Sequence, residues 1–399
     1  MRHPTRWAGA YTLVAVMLAA VFAYAILTGP YRAVERSDYM TYHVAARIVL
    51  EGHGSCLYDP TCQADAQRKL IGEEPSFSEG ALPYNSPPWL AAVVAPLGAV
   101  PLPVGFAVFT AIGLAVLAWG AWRATGESGA AGWDSSSPRL LAVALVLTAW
   151  PTVMAVIRGQ STLVVVGLLG LSVGLARYRS GLALGLSALK PTLAPIWAVW
   201  QLAGGHWRAV GTAAAVVLGF IVLAAVVVSP QAVIDYPSHL VGVIGQDVPG
   251  VHPAEMVNWR GAAERLGVGA WFIAAGSVAT LGLVALVWWR SNSRQLGAAA
   301  AFLATPLVIP HANQHEFVLA TLGILLAVVA LVEMRRRLAT VSIGTHAVVW
   351  VGVIPDARAA AWLLFGVQLA WLLIVVWLSR LESPADSHPR VPLPTEASG

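Results

Sequence analysis

The chain has 399 residues, of which 57% are hydrophobic and only 11% charged, and its mean hydropathy is +0.69. Soluble domains carry about 25% charged residues, so the composition excludes a soluble enzyme and places the chain among membrane proteins. The net charge of +4 is small and scattered over short loops, which gives no support to a nucleic-acid partner. The two cysteines form no CxxC pair or His/Cys cluster with zinc-ligand spacing.

Residues Trp7–Leu27 form an apolar run long enough to cross a hydrocarbon core of about 30 Å. Arg2 and Arg6 precede it, favouring a cytoplasmic N-terminus. The run is long for a signal-peptide core and many apolar segments follow, so it is expected to remain as an anchor. The polar stretch 29–87 comes next. Within it, Ser37–Pro60 concentrates Asp38, Tyr42, His43, Arg47, His53, Tyr58 and Asp59. Asp38 is placed to cap a short helix over Tyr39–Leu50, whose Val44, Ile48 and Leu50 would lie against the bilayer surface. Asp59-Pro60 gives the same signal for a second short helix, with Asp as the cap and Pro at the first helical position. Cys56 and Cys62 lie in this loop. A disulfide between them is expected if the loop is extracytoplasmic, and two isolated thiols if it is not.

Apolar segments then follow near 88–100, 104–122, 140–156, 163–176, 182–202, 210–228, 270–289, 296–309, 317–332, 347–354 and 362–378. They predict an all-α bundle of 11–13 spans in one transmembrane domain, 1–380, with short interfacial helices in its first loop and a disordered tail over 381–399. Residues 125–138 read as a flexible loop. Twelve spans with the N-terminus inside put Arg290, Arg294 and Arg335-Arg336-Arg337 in the cytoplasm, and the loops 29–87 and 230–268 outside. Arg177 and Arg179 then fall on the opposite side to the rule.

Lys190 interrupts an apolar run and is followed at once by Pro191. A lysine at the bilayer centre costs about 2.5–3.5 kcal/mol on insertion scales, so it should face a partner or a watery cavity. Pro191 and Pro195 loosen the helix there and free carbonyls that can line such a cavity. Lys190 then reads as a cation for a phosphate, or else as a lysine snorkelling between two half-helices. Arg158-Gly159-Gln160 separates two apolar runs and by itself reads as a turn or helix end. Asn258-Trp259-Arg260-Gly261 could hold a sugar by hydrogen bonding and stacking, or simply build the second loop. His311 and His315, four apart, would share one face of a helix. They could donate to a phosphate, move protons or, with Glu316, hold a metal; plain polar residues at a helix start are the other reading.

Taken in order, these elements resemble glycosyltransferase family 87, polytopic enzymes of the GT-C architecture. The matching residues are Asp38, Tyr42, Ala45-Ala46-Arg47, Leu57-Tyr58-Asp59-Pro60, Tyr84, Pro87-Pro88, Ala95-Pro96-Leu97, Gly159-Gln160, Lys190-Pro191 and Pro310-His311. The cysteine-bearing insertion around Cys56 and Cys62, and the run HANQHE, depart from the family pattern. The resemblance implies an inverting hexosyltransferase of the plasma membrane that moves a sugar, typically mannose, from a polyprenyl-phosphate donor. The acceptor would be a lipid-linked or cell-envelope glycan on the extracytoplasmic side. It implies Asp38 as the base, with Lys190, His311 and Arg47 on the donor phosphate. Tyr42, Tyr84, Gln160, Asn258 and His315 become candidates for substrate contacts. No cofactor and no metal are expected. The rival from another class is a transporter or lipid flippase with Lys190, His311 and His315 along a substrate path. The loop carboxylate followed by two short helices favours the enzyme.

Overall fold

The computed structural model describes residues 32–72, 81–126, 136–245, 252–330, 335–352 and 356–381. The expected first span at 7–27, most of the 125–138 loop and the 382–399 tail lie outside these residues. Every regular element among the described residues is helical. In hydrocarbon each backbone amide must find its partner inside the protein, and a helix satisfies its own. The chain is an all-α polytopic membrane protein.

The polar loop is built first. α1 (Asp38–Leu50) begins at Asp38 itself, so Asp38 is its first helical residue and not the expected cap. Ser37 holds the cap position, and its hydroxyl turns back to the Val34 carbonyl. α2 (Pro60–Ile71) starts as expected: the Asp59 side chain accepts from the Cys62 N–H at 2.8 Å and Pro60 takes the first helical position. Cys56 and Cys62 are joined in a disulfide across the start of α2. α1 is buried nearly all round. Val44 and Ile48, expected against the bilayer, instead share a core with Tyr84, Leu90 and Phe109, and only Leu50 of the three is exposed.

α3 (Pro88–Val94) and the 3-10 turn Ala95–Ala99 underlie α1. α4 (Leu102–Gly126) is the first long span, and α5 (Ser136–Thr148) and α6 (Trp150–Arg158) follow, bent from one another by 55°. α7 (Thr162–Gly174) packs along α4 through glycine. A Cβ on Gly120 would stand 2.1 Å from the Gly167 carbonyl oxygen, the close small-residue contact by which helices associate in lipid. The 182–202 run is broken into α8 (Arg177–Leu186), two 3-10 turns and α9 (Pro195–Ala203). Pro191 and Pro195 each remove a backbone donor there.

The second half contains α10 (Trp207–Val227), α11 (Pro230–Gly245), α12 (Trp259–Leu266), α13 (Ala270–Arg290), α14 (Arg294–Val308), α15 (Phe317–Ala330), α16 (Arg335–Gly352) and α17 (Ala357–Leu381). Four helices among the described residues, α4, α10, α13 and α17, are long and apolar enough to cross a membrane, and the bent pair α5–α6 makes a fifth if counted as one span. Most of the other expected spans are shorter helices. α7, with 13 residues, reaches about 20 Å against a hydrocarbon core of about 30 Å. α7, α14 and α15 are buried almost throughout and form the main apolar core. Half-length helices end inside the protein, and polar groups gather where they end.

Candidate active site

Three breaks between helices meet at the N-terminal end of α1. The first is the α6–α7 junction. Gly159 ends α6 in the left-handed region, φ 61°, where a Cβ would stand 2.5 Å from the Tyr39 Cβ. Only glycine combines that φ with so close an approach to α1. The turn delivers Gln160 to Asp38: Gln160 Nε2 donates to Asp38 Oδ2. Gln160 Oε1 accepts from Lys190 Nζ at 3.3 Å and from the Tyr42 hydroxyl at 3.4 Å. Tyr42 lies one helical turn beyond Asp38 and therefore on the same face of α1. Its hydroxyl is also 3.5 Å from Ser161 Oγ.

The second break holds Lys190, between the two 3-10 turns. Trp89 of α3 donates its Nε1 to the Ala188 carbonyl at 2.7 Å, which pins this break to the helix begun by the paired prolines. Lys190 Nζ donates to Glu316 Oε1 at 2.5 Å and to Thr162 Oγ1 at 3.0 Å, besides Gln160. The Lys190 side chain is 23% exposed and that of Glu316 0%.

The third break is the link 309–316 between α14 and α15. Asn313 and Glu316 form a capping box around the 3-10 turn Gln314–Glu316, with Glu316 Oε2 accepting from the Asn313 N–H at 2.8 Å. Glu316 Oε1 accepts from Lys190, from His315 Nε2 at 2.8 Å and from Thr162 Oγ1 at 3.3 Å. His311 and His315 do not share a helix face. His311 lies in the non-helical link and His315 inside the 3-10 turn, because the capping box starts the helix only after Asn313. His311 Nε2 accepts from Asn313 Nδ2 at 3.2 Å, which assigns the ring proton to Nδ1. Burial pushes the His311 pKa down to about 4; Glu316 opposes this, while Lys190 and Arg260 reinforce it. His311 is therefore a neutral donor near pH 7.

The remaining sequence candidates divide. The Tyr84 hydroxyl donates to the Pro87 carbonyl at 2.8 Å and its ring meets Tyr42 edge-on, with centroids 6.4 Å apart, so Tyr84 braces Tyr42. Asn258 caps α12 by accepting from the Gly261 N–H and donates to the Ile309 carbonyl at 2.7 Å, fastening the second loop to the His311 link. Arg47 is in the last turn of α1, nine residues from Asp38 and so on the opposite side of the helix. It pairs with Glu51 at 3.3 Å, outside the cluster. Among the described residues no three His, Cys, Asp or Glu side chains converge as a metal site.

Sequence reasoning passes over Thr162 and Ser161, and weighs Glu316 only as a metal ligand beside the histidines, not as the partner of Lys190. Two signals point to Glu316: the Asn-x-x-Glu capping box ahead of an apolar run, and the requirement that Lys190 have a partner. Asp38, Gln160, Lys190 and Glu316 form a continuous line of alternating acceptors and donors. Asp38 is half-buried, and its Oδ1 takes no hydrogen bond among the described residues, leaving that oxygen open to a proton.

A polytopic α-helical bundle with a carboxylate, an amide and a buried ion pair joined at its helix breaks has the makings of a membrane-embedded proton-transfer site. The chain belongs to glycosyltransferase family 87, whose model matches residues 84–310, more than half of its length. It is a glycosyltransferase. The matched stretch contains Tyr84, Gln160, Lys190 and Asn258, begins after Asp38 and ends just before His311. No curated protein and no solved structure matches the chain.

Proposed function

We propose that this enzyme transfers a hexose, mannose first among the candidates, from a polyprenyl-phosphate donor to a lipid-linked or cell-envelope glycan on the extracytoplasmic side of the plasma membrane. One observation carries the reading. Asp38, left uncapped at the start of α1, presents a free oxygen while Gln160 ties its other oxygen to Lys190. In this reaction the acceptor hydroxyl gives its proton to Asp38 as its oxygen attacks the anomeric carbon. The bond from that carbon to the phosphate oxygen breaks, and the lipid monophosphate leaves with the electron pair. One carboxylate suffices for such an inverting displacement, since no covalent intermediate forms. The Nδ1–H of His311 faces the phosphate, and the reaction proceeds without a metal ion. The disulfide supports the sidedness, because such bonds persist outside the reducing cytoplasm.

Membranes containing the enzyme, given radiolabelled polyprenyl-phosphate mannose, glucose, galactose or arabinose with and without a chelator, test this directly. Transfer of label from the mannosyl lipid, unchanged by chelator, is expected. Movement of the lipid across vesicles without transfer of label would reverse the reading in favour of a carrier.

A further inference from the structure

We propose that Arg260 receives the phosphate group of the donor, while Lys190 stays with Glu316 and acts on the base through Gln160. This inference rests on the lipid-phosphate donor proposed above and names the residue that recognises it.

The argument starts from what Lys190 has left to give. An ammonium carries three N–H donors. Lys190 directs hydrogen bonds to three acceptors, Glu316, Thr162 and Gln160. Its charge is matched by a fully buried carboxylate, and Asp38 adds a second carboxylate at the other end of the same line. His311 is neutral, so it contributes a donor but no charge. A phosphate entering this cluster would meet no net positive charge from the residues that form it. The leaving lipid monophosphate carries one more negative charge than the diester it came from, so a cation is needed most as the bond breaks.

Arg260 can supply that charge. It sits two residues beyond Asn258, in the loop that the Asn258 side chain fastens to the Ile309 carbonyl and that the Val257 N–H fastens to the Ala312 carbonyl at 2.8 Å. These two bonds hold its helix against the link that carries His311, and the charge of Arg260 acts on the His311 ring. Its Nη1 is buried and has no hydrogen-bond partner among the described residues. An unpaired buried guanidinium nitrogen is costly, and the cost disappears once an anion arrives.

The neighbouring Arg265 also has buried, unpaired nitrogens, but the rest of its guanidinium is committed. Arg265 Nη1 donates to the Ala254 and Met256 carbonyls, and the group lies 4.3 Å from the Trp362 ring centroid. Among the described residues Arg260 has no such commitments. Its planar fork can hold two phosphate oxygens at once, which a lysine cannot do.

Purified full-length protein in detergent, titrated calorimetrically with farnesyl phosphate as a short lipid monophosphate and with farnesol as its uncharged control, tests the assignment. Wild type should bind the phosphate more tightly than the alcohol. Arg260→Gln should weaken the phosphate about tenfold or more, the loss expected for one charge-assisted contact, and Arg260→Lys should recover part of it. Lys190→Met combined with Glu316→Gln, which keeps the cluster in charge balance, should bind the phosphate within about threefold of wild type while transfer falls. Arg260→Met repeats the measurement if Arg260→Gln does not purify as a folded species. Wild-type affinity in the Arg260 variants, or loss of binding in the Lys190/Glu316 pair instead, overturns the assignment but leaves the donor class standing. Equal binding of phosphate and alcohol by wild type removes the donor class, and the assignment falls with it.

Discussion

Lys190 Nζ and Glu316 Oε1 meet at 2.5 Å, although 126 positions separate them in the chain. Removing one member of such a pair strands the other charge in the interior. Lys190→Met alone should therefore destabilise the protein by about 3–5 kcal/mol. Combining it with Glu316→Gln should recover most of that loss. Denaturation of the four proteins in detergent closes a double-mutant cycle. A coupling within about 0.5 kcal/mol of zero would show that the two side chains act independently.

Replacing Asp38 by Asn keeps the shape of the side chain and its acceptor for Gln160 but removes the proton acceptor. Transfer should fall by about 10²–10⁴-fold, the range for loss of a positioned base, with an unchanged melting temperature. Initial rates of label transfer by the purified variant measure this. Retention of more than about a tenth of the wild-type rate would remove Asp38 from the base role.

Gln160 touches Asp38, Lys190 and Tyr42 at once, so its substitutions separate a positioning role from a substrate contact. Gln160→Ala should lower kcat with little change in either substrate KM. Gln160→Glu places a second carboxylate beside Asp38 and should shift the acidic limb of the pH–rate profile upward by about one unit or more, since like charges resist joint ionisation. A rise in donor KM alone in the alanine variant would instead make Gln160 a ligand for the donor.

The disulfide closes a short loop, with the cysteines six positions apart, and the loop contains Tyr58, whose ring stacks on His239 at 4.4 Å and on Tyr84 at 6.1 Å. Reduction, or a Cys56→Ser/Cys62→Ser variant, should cost about 2 kcal/mol. It should also loosen the aromatic contacts that lead from Tyr58 through Tyr84 to Tyr42. A thiol-reactive reagent confined to the extracytoplasmic side should label the wild type only after reduction. Labelling from the cytoplasmic side would place the loop on the wrong face.

Two histidines contribute to the acid sensitivity, His43 buried in α1 and His311 half-buried in the link before α15. Burial lowers His43 to about 4, with Arg47 assisting, and lowers His311 to about 4. Their ordinary value is 6.5, so between roughly pH 6.5 and 4 the unfolded chain binds protons that the folded chain refuses. Stability from these two groups is intact above that window and is lost as the pH falls through it. Melting temperatures measured from pH 7.5 to 4.5 should decline across the window, and His43→Phe should flatten part of the slope. A profile level down to pH 4.5 would contradict the burial of both rings.

The sequence made the helical class, the α2 cap at Asp59 and the polar stretch around Asp38 legible, because composition and cap chemistry are local signals. It also singled out Lys190 and Gln160, since polar groups amid apolar runs demand an explanation. The partner of Lys190 was harder to see. Glu316 belongs to a link that reads as an ordinary polar helix start, and only the packing of α7, α14 and α15 brings it to Lys190. Among the described residues fewer helices are of full spanning length than there are apolar runs, because hydropathy registers a run whether or not Pro191 or Pro195 breaks it. Asp38 looked like a cap because Asp before an apolar run usually is one. Ser37 takes that position, and only the position of Gln160 reveals where the freed carboxylate points.

The distance in sequence between Lys190 and Glu316 also sets an order of events during synthesis. Lys190 leaves the ribosome 126 residues ahead of its counter-ion, a delay of roughly 6–25 s at about 5–20 residues per second. Through that interval its charge must stay hydrated or be held by the insertion machinery, with Thr162 and Gln160, and the Asp38 carboxylate beyond Gln160, its earlier partners among the described residues. The prolines that break the helix at Lys190 give the segment a way to wait near the interface. Completion of α15 is then the step that draws the lysine inward, so the active cluster is among the last parts of the bundle to assemble.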